Sequence, residues 1–158
     1  KYMSGQKQVI MTGEIAEIPV KIKIDSYHPG KCIVDLNVMR DFEEIYVPEK
    51  GRLNFIEAWK YDYQAAIYQE IERQNSGTKL PFFIAAATKE KPEPDIDLFQ
   101  IPQAQLDACL QIFIANAPRY TMLKQGIGEP LRCEKCAWCR QTKVLTEIKI
   151  IGDVENGI

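Results

Sequence analysis

The amino-acid sequence predicts an α/β (α+β) chain with a central mixed β-sheet flanked by helices. Three observations predict it. Three short segments of period-two alternation follow one another near the start. A helix-spaced apolar series then crosses residues 55–74, and the apolar, strand-length run LPFFIAAAT separates it from a second helical stretch. Strands, helix, strands and helix around one core give two or three packed layers, and 158 residues suit a single domain over 1–158.

QVIMTGEI, residues 8–15, reads as a strand, residues 16–19 as a turn, and VKIKID, residues 20–25, as a second strand. Alternation puts Lys21, Lys23 and Asp25 on one face of it and Ile22 and Ile24 on the other. SYHPGK makes a tight connection, cornered by Pro29 and Gly30, into a third strand over 32–38. Residues 40–53 are charged and carry Pro48 and Gly51, which predicts loop. Apolar residues at 56, 59, 63, 67 and 71 space a helix over 55–74, stopped by Asn75-Ser76-Gly77. Leu80–Thr88 suits a buried central strand, EKPEPD a polar break, and IDLFQIP a strand pairing with its predecessor. A second helix runs from after Pro102 to about Leu123, with Pro118 as a point of interruption. VLTEIKII adds a last strand.

A formal charge of -2 and a pI of about 5.6 provide no global basic field, so any contact with nucleic acid is local. No apolar run approaches the roughly 20 residues that cross a bilayer, and KYMSGQKQ has no signal-peptide core, which predicts a cytoplasmic protein without membrane contact. Five cysteines, an odd number, suit a reducing compartment. A strand pattern that begins at once, with no Met at position 1, predicts that N-terminal elements of the domain are missing.

Within CIVDLNVMRD, Asp35 and Asn37 project from one face and Val34, Leu36 and Val38 from the other. Asp25 ends the preceding strand, so hairpin-like pairing across the short turn brings two carboxylates together. They repel unless a proton or cation intervenes, and a hard divalent ion with oxygen ligands suits the space. Two solvated acids on an exposed sheet face are the alternative.

KIKID, then IVDLN ten residues on, then a helix containing YQAAIY: this order resembles the PD-(D/E)XK nuclease superfamily. The specific likeness is to its RecB/RecE-like, exodeoxyribonuclease VIII-like branch of phage-type exonucleases, over about residues 9–145. The resemblance implies a restriction-endonuclease-like core that hydrolyses phosphodiester bonds at duplex DNA ends during homologous recombination. It assigns Asp25, Asp35 and the main-chain carbonyl of Leu36 to one or two Mg²⁺ (or Mn²⁺) ions. Gln64 and Tyr68 match a Gln-x-x-x-Tyr motif and would bridge the site to DNA or to the metal's water. A ring-shaped homo-oligomer and a single-strand annealing partner are also implied.

The departure is Asn37, which stands where the family has a lysine. Its amide holds a water but carries no charge. Three readings follow: the metals work without the lysine, Lys23 reaches in from the neighbouring strand, or the chain binds DNA without cutting it. Glu14 is a third acid near the sheet, and His28, the only histidine, reads as polar turn surface.

RCEKCAWCRQTK, within a C-terminal segment at 130–143, sets Cys133, Cys136 and Cys139 at successive C-x-x-C spacings. Such thiolates can share a zinc ion, and superfamily relatives staple this region with an iron-sulfur cluster. Either needs a fourth ligand, and Cys32 and Cys109 are remote in sequence. The expectation is free thiols packed around Trp138, with a small redox or metal-binding protein as a further class.

Overall fold

The computed structural model describes residues 2–146 and 148. After a 3-10 turn at Tyr2–Ser4, strands β1 (Gln6–Ile15), β2 (Ile18–His28) and β3 (Cys32–Met39) form an antiparallel meander. The β1–β2 turn is tighter than expected: Ala16 and Glu17 both have positive φ, 51° and 62°, the two-residue geometry whose twist matches a hairpin. Pro19 therefore lies inside β2. That strand also continues past Asp25 to His28, so the corner shrinks to Pro29–Lys31, with Gly30 at φ 65°.

The charged stretch read as loop contains a small hairpin, β4 (Ile45–Val47) and β5 (Gly51–Leu53). The helix expected over 55–74 is two helices. One turn, α1 (Phe55–Ala58), is capped by Asn54, whose Oδ1 accepts from the Glu57 N–H while its Nδ2 donates to the Glu57 carboxylate. Lys60 then takes a left-handed conformation, φ 64°, and restarts the chain as α2 (Tyr61–Ser76). Gly77, at φ 87°, ends α2 by returning its N–H to the Arg73 carbonyl. Strands β6 (Phe82–Thr88) and β7 (Ile96–Gln100) and helix α3 (Gln103–Lys124) follow, and α3 runs through Pro118 without a break. A short helix, α4 (Ala137–Gln141), lies in the cysteine segment. The strand expected from Val144 is absent at Val144–Thr146, and most of its remainder lies outside the described residues.

The five-stranded sheet has the order β1-β2-β3-β6-β7, antiparallel throughout except for the parallel pair β3–β6. The α1–α2 segment provides the crossover that a parallel pair requires. Helices α2 and α3 pack together on the sheet face that carries Ile33, Phe82, Ile84 and Ala86. On the opposite face Ile10, Leu36, Val38 and Ile96 are exposed, so the described residues form two layers.

The face that α2 buries differs from the apolar series. Trp59 is exposed and Tyr63 and Ile67 are half-buried, while Asp62, Ala65, Ala66, Gln69 and Glu72 point inward with Ile71. Each buried polar group has a distant partner: Asp62 accepts from Gln105, Gln69 donates to the Leu80 carbonyl, and Glu72 accepts from the Tyr27 hydroxyl at 2.8 Å. Burial, reinforced by Glu72, pushes the Tyr27 phenol up to about 12. The helix also approaches β1 closely at Gly13, where a side chain would strike Gln74.

Candidate active site

The β2–β3 ladder runs only from His28↔Cys32 to Ser26↔Val34. The next pair in register would be Asp25 and Asp35, and there the main-chain pairing stops. Asp25 fills the gap with its side chain, Oδ2 accepting from the Leu36 N–H at 3.0 Å. Main-chain N–H and C=O of one strand residue point to the same edge, so the Leu36 carbonyl also faces this opening.

Gln8 holds the other Asp25 oxygen, Nε2 donating to Oδ1 at 2.6 Å. It lies opposite Asp25 between the pairs Lys7↔Ser26 and Val9↔Ile24, at a left-handed φ of 53°. Burial along β2 changes phase at this point: Ile22 and Ile24 are buried, then Ser26 and Tyr27 are buried together. Simple alternation therefore fails across Asp25. Lys23 does not join the pair: its side chain is exposed opposite Ile10, and its contribution is a main-chain hydrogen bond to Tyr68.

Asp35 is 7% exposed and in hydrogen-bonding contact with Asp25. Its Oδ2 accepts from Gln64 Nε2, on the first turns of α2, at 2.9 Å. Burial, then the charge and hydrogen bond of Asp25, push its carboxyl up to about 7, against the smaller opposing pull of Gln64 and Asn37. Tyr68, one turn beyond Gln64, hydrogen-bonds with it, and burial followed by the charge on Asp35 raises its phenol. The Asn37 amide nitrogen is buried and near enough to favour the Asp35 anion, yet it makes no hydrogen bond of good geometry.

Asp25, Asp35, Leu36, Asn37, Gln64 and Tyr68 thus come together, while Glu14 and His28 do not. The Glu14 main chain pairs through both its N–H and C=O with the Gln74 side chain, ten residues along α2 from Gln64, or about 15 Å. His28 bonds through Nε2 to the Tyr2 carbonyl. Gln8 is the member that sequence reading missed, because only the β1–β2 register puts it opposite Asp25.

The donors at the gap are all oxygens: two carboxylates, one needing a proton to coexist with the other, and a strand carbonyl. That set fits a hard divalent cation. Beyond Asn37, at the end of β3, a cleft of about 430 Å³ is lined by Val38, Met39, Arg40, Ile45, Trp59 and Lys89, among others.

The cysteine segment shares no residue with this site. All five cysteines are free, and the Cys133, Cys136 and Cys139 sulfurs lie within 4.8 Å of one another. Trp138 is exposed with the Arg132 guanidinium 5.0 Å from its ring centre. Main-chain N–H groups of Lys135 and Cys136 bring the Cys133 thiol down to about 7.

No curated protein matches the chain. A crystal structure from Eubacterium rectale, described as "Putative exonuclease", superposes with a TM-score of 0.81 at 50% identity, covering 99% of this chain. The chain spans 59% of that protein's length. The family model of the PDDEXK-like domain of unknown function (DUF3799) matches residues 1–142, and the chain belongs to that family.

Proposed function

We propose that the chain is a divalent-metal-dependent nuclease acting at the ends of duplex DNA, as its likeness to RecE-like exonucleases implies. The observation that carries this reading is the contact between Asp25 and Asp35 where the β2–β3 ladder opens, with Gln64 on the buried acid. Asp25, Asp35 and the Leu36 carbonyl would hold Mg²⁺ or Mn²⁺. The ion would supply an acidified water and neutralise charge at phosphorus.

The chain's own groups do the positioning. Gln64 fixes one oxygen of Asp35, whose carboxyl stays in contact with Asp25 at the gap. Gln8 and the Leu36 N–H hold both oxygens of Asp25, which limits its rotation. Asn37 has an amide N–H with no good partner inside a buried site, a donor suited to a water or a phosphate oxygen. The neighbouring cleft offers Trp59 for base stacking and Lys89 and Arg40 for phosphates, although Arg40 is already paired with Asp41. Cytoplasmic action in phage-type recombination, with an annealing protein and a ring-shaped homo-oligomer, completes the reading by resemblance.

The exposure of Lys23 favours one competing reading: a nuclease homologue that has kept DNA binding and lost cleavage. The Asn37→Lys variant separates the two. If the amide stands in for a cation, wild type degrades linear duplex with Mg²⁺, and the lysine raises the rate by about tenfold. If neither protein cleaves while both retard duplex in a gel, the binding reading replaces the nuclease.

A further inference from the structure

Residues 130–142 fold without a core: among them only Cys139 is buried. Among the described residues their one ion pair to the rest of the chain is exposed, Lys135 to Glu49 at 3.6 Å, and is worth little. Small units that cannot bury apolar surface are commonly stapled by a disulfide or a metal, and the three cysteines here are unbridged.

We propose that Cys133, Cys136 and Cys139 form a mononuclear trithiolate site for Zn²⁺ that staples this segment, separate from the acid pair. Cys133 and Cys139 place their sulfurs 3.8 Å apart. Two thiolates on one tetrahedral zinc, each bonded at about 2.3 Å, stand about 3.8 Å from each other. Sulfurs that ligate different irons of a cluster must stand further apart than sulfurs sharing one ion, so the limit of 4.8 Å across all three favours a single cation.

The backbone is arranged for thiolates. Glu134, at a left-handed φ of 56°, curls the chain back, and the Cys136 N–H donates to the Cys133 sulfur at 3.3 Å. The Cys139 N–H donates to the Cys136 sulfur at 3.4 Å. Arg132 donates to the Cys139 carbonyl at 2.7 Å while its guanidinium pairs with Glu134 at 3.0 Å, and Lys135 and Arg140, close in sequence, leave the local charge positive against the net negative charge of a zinc trithiolate. On binding, the three thiols release three protons to solvent and no electrons move. The described residues supply three ligands, and a water takes the fourth position.

The test is metal content, then cobalt. Protein purified without chelator is expected to contain about one zinc per chain, and the metal-free protein titrated with Co²⁺ is expected to show thiolate-to-cobalt charge-transfer absorption. Cys133→Ser and Cys136→Ser should lose both signals. Asp35→Ala should keep both, which separates this site from the proposed nuclease centre whatever the fate of that reading. Two results would overturn the proposal: folded wild-type protein with neither zinc nor a cobalt spectrum, or iron with acid-labile sulfide and broad visible absorption.

Discussion

Asp35→Ala is expected to reduce Mg²⁺-dependent degradation of linear duplex by about a thousandfold or more. The substitution removes one of two carboxylates at the ladder opening, and with it the acceptor that Gln64 holds. Losing a single preorganised group in such a site costs about 10² to 10³ in rate, and loss of a metal ligand adds the metal's own share. The fold should survive, because the variant discards a buried acid that repels its neighbour, while Asp25 keeps Gln8 and the Leu36 N–H. In metal-free buffer at pH 8 it should melt no lower than wild type. A nuclease assay beside a thermal melt checks both halves, and undiminished cleavage by the variant would remove the site assignment.

The second large effect is on stability and needs no DNA. In metal-free solution the wild-type melting temperature is expected to fall as pH rises from 4 to 8. Asp35 titrates near 7 when folded against an ordinary 3.8, so between those values the folded state holds a proton that the unfolded chain gives up. The stabilising contribution is whole below 3.8 and lost as pH climbs through 7. A displacement of that size is worth about 4 kcal/mol as an upper bound. Glu70 and Asp107 run the other way, since Arg73 and Lys79 hold their carboxyls low. Their contributions are present above the ordinary carboxylate range and fade only as pH drops through it. Asp35→Asn should flatten the curve between 4 and 7. Mg²⁺ should restore wild-type stability most at high pH, by about 2.7 kcal/mol at a hundredfold excess over its dissociation constant. Parallel curves for wild type and Asp35→Asn would show that the acid is not held as described.

The strands of the sheet were largely legible because alternation and turn residues are local signals, and the spacing from Asp25 to Asp35 fixed their meeting. Local signals fail where a distant partner decides. The inward face of α2 carries Asp62, Gln69 and Glu72, whose burial depends on Gln105, Leu80 and Tyr27 far along the chain. Gln8 enters the site only through the β1–β2 register, and the phase change at Asp25 that parts it from Lys23 comes with it. The left-handed Lys60 that divides α1 from α2 has no glycine to announce it. Likewise the cysteine spacing permits a shared ion while the expectation from sequence is free thiols, and the mutual approach of the sulfurs depends on the backbone at Glu134.

The chemistry proposed for this chain depends on the gap between β2 and β3 being a cation site. Anomalous diffraction from crystals equilibrated with Mn²⁺ tests that most directly. The expected result is a manganese peak touching the carboxylates of Asp25 and Asp35 and the carbonyl of Leu36, absent from Asp35→Ala crystals. A fully occupied peak elsewhere on the chain, with the two carboxylates still sharing a proton, would contradict it.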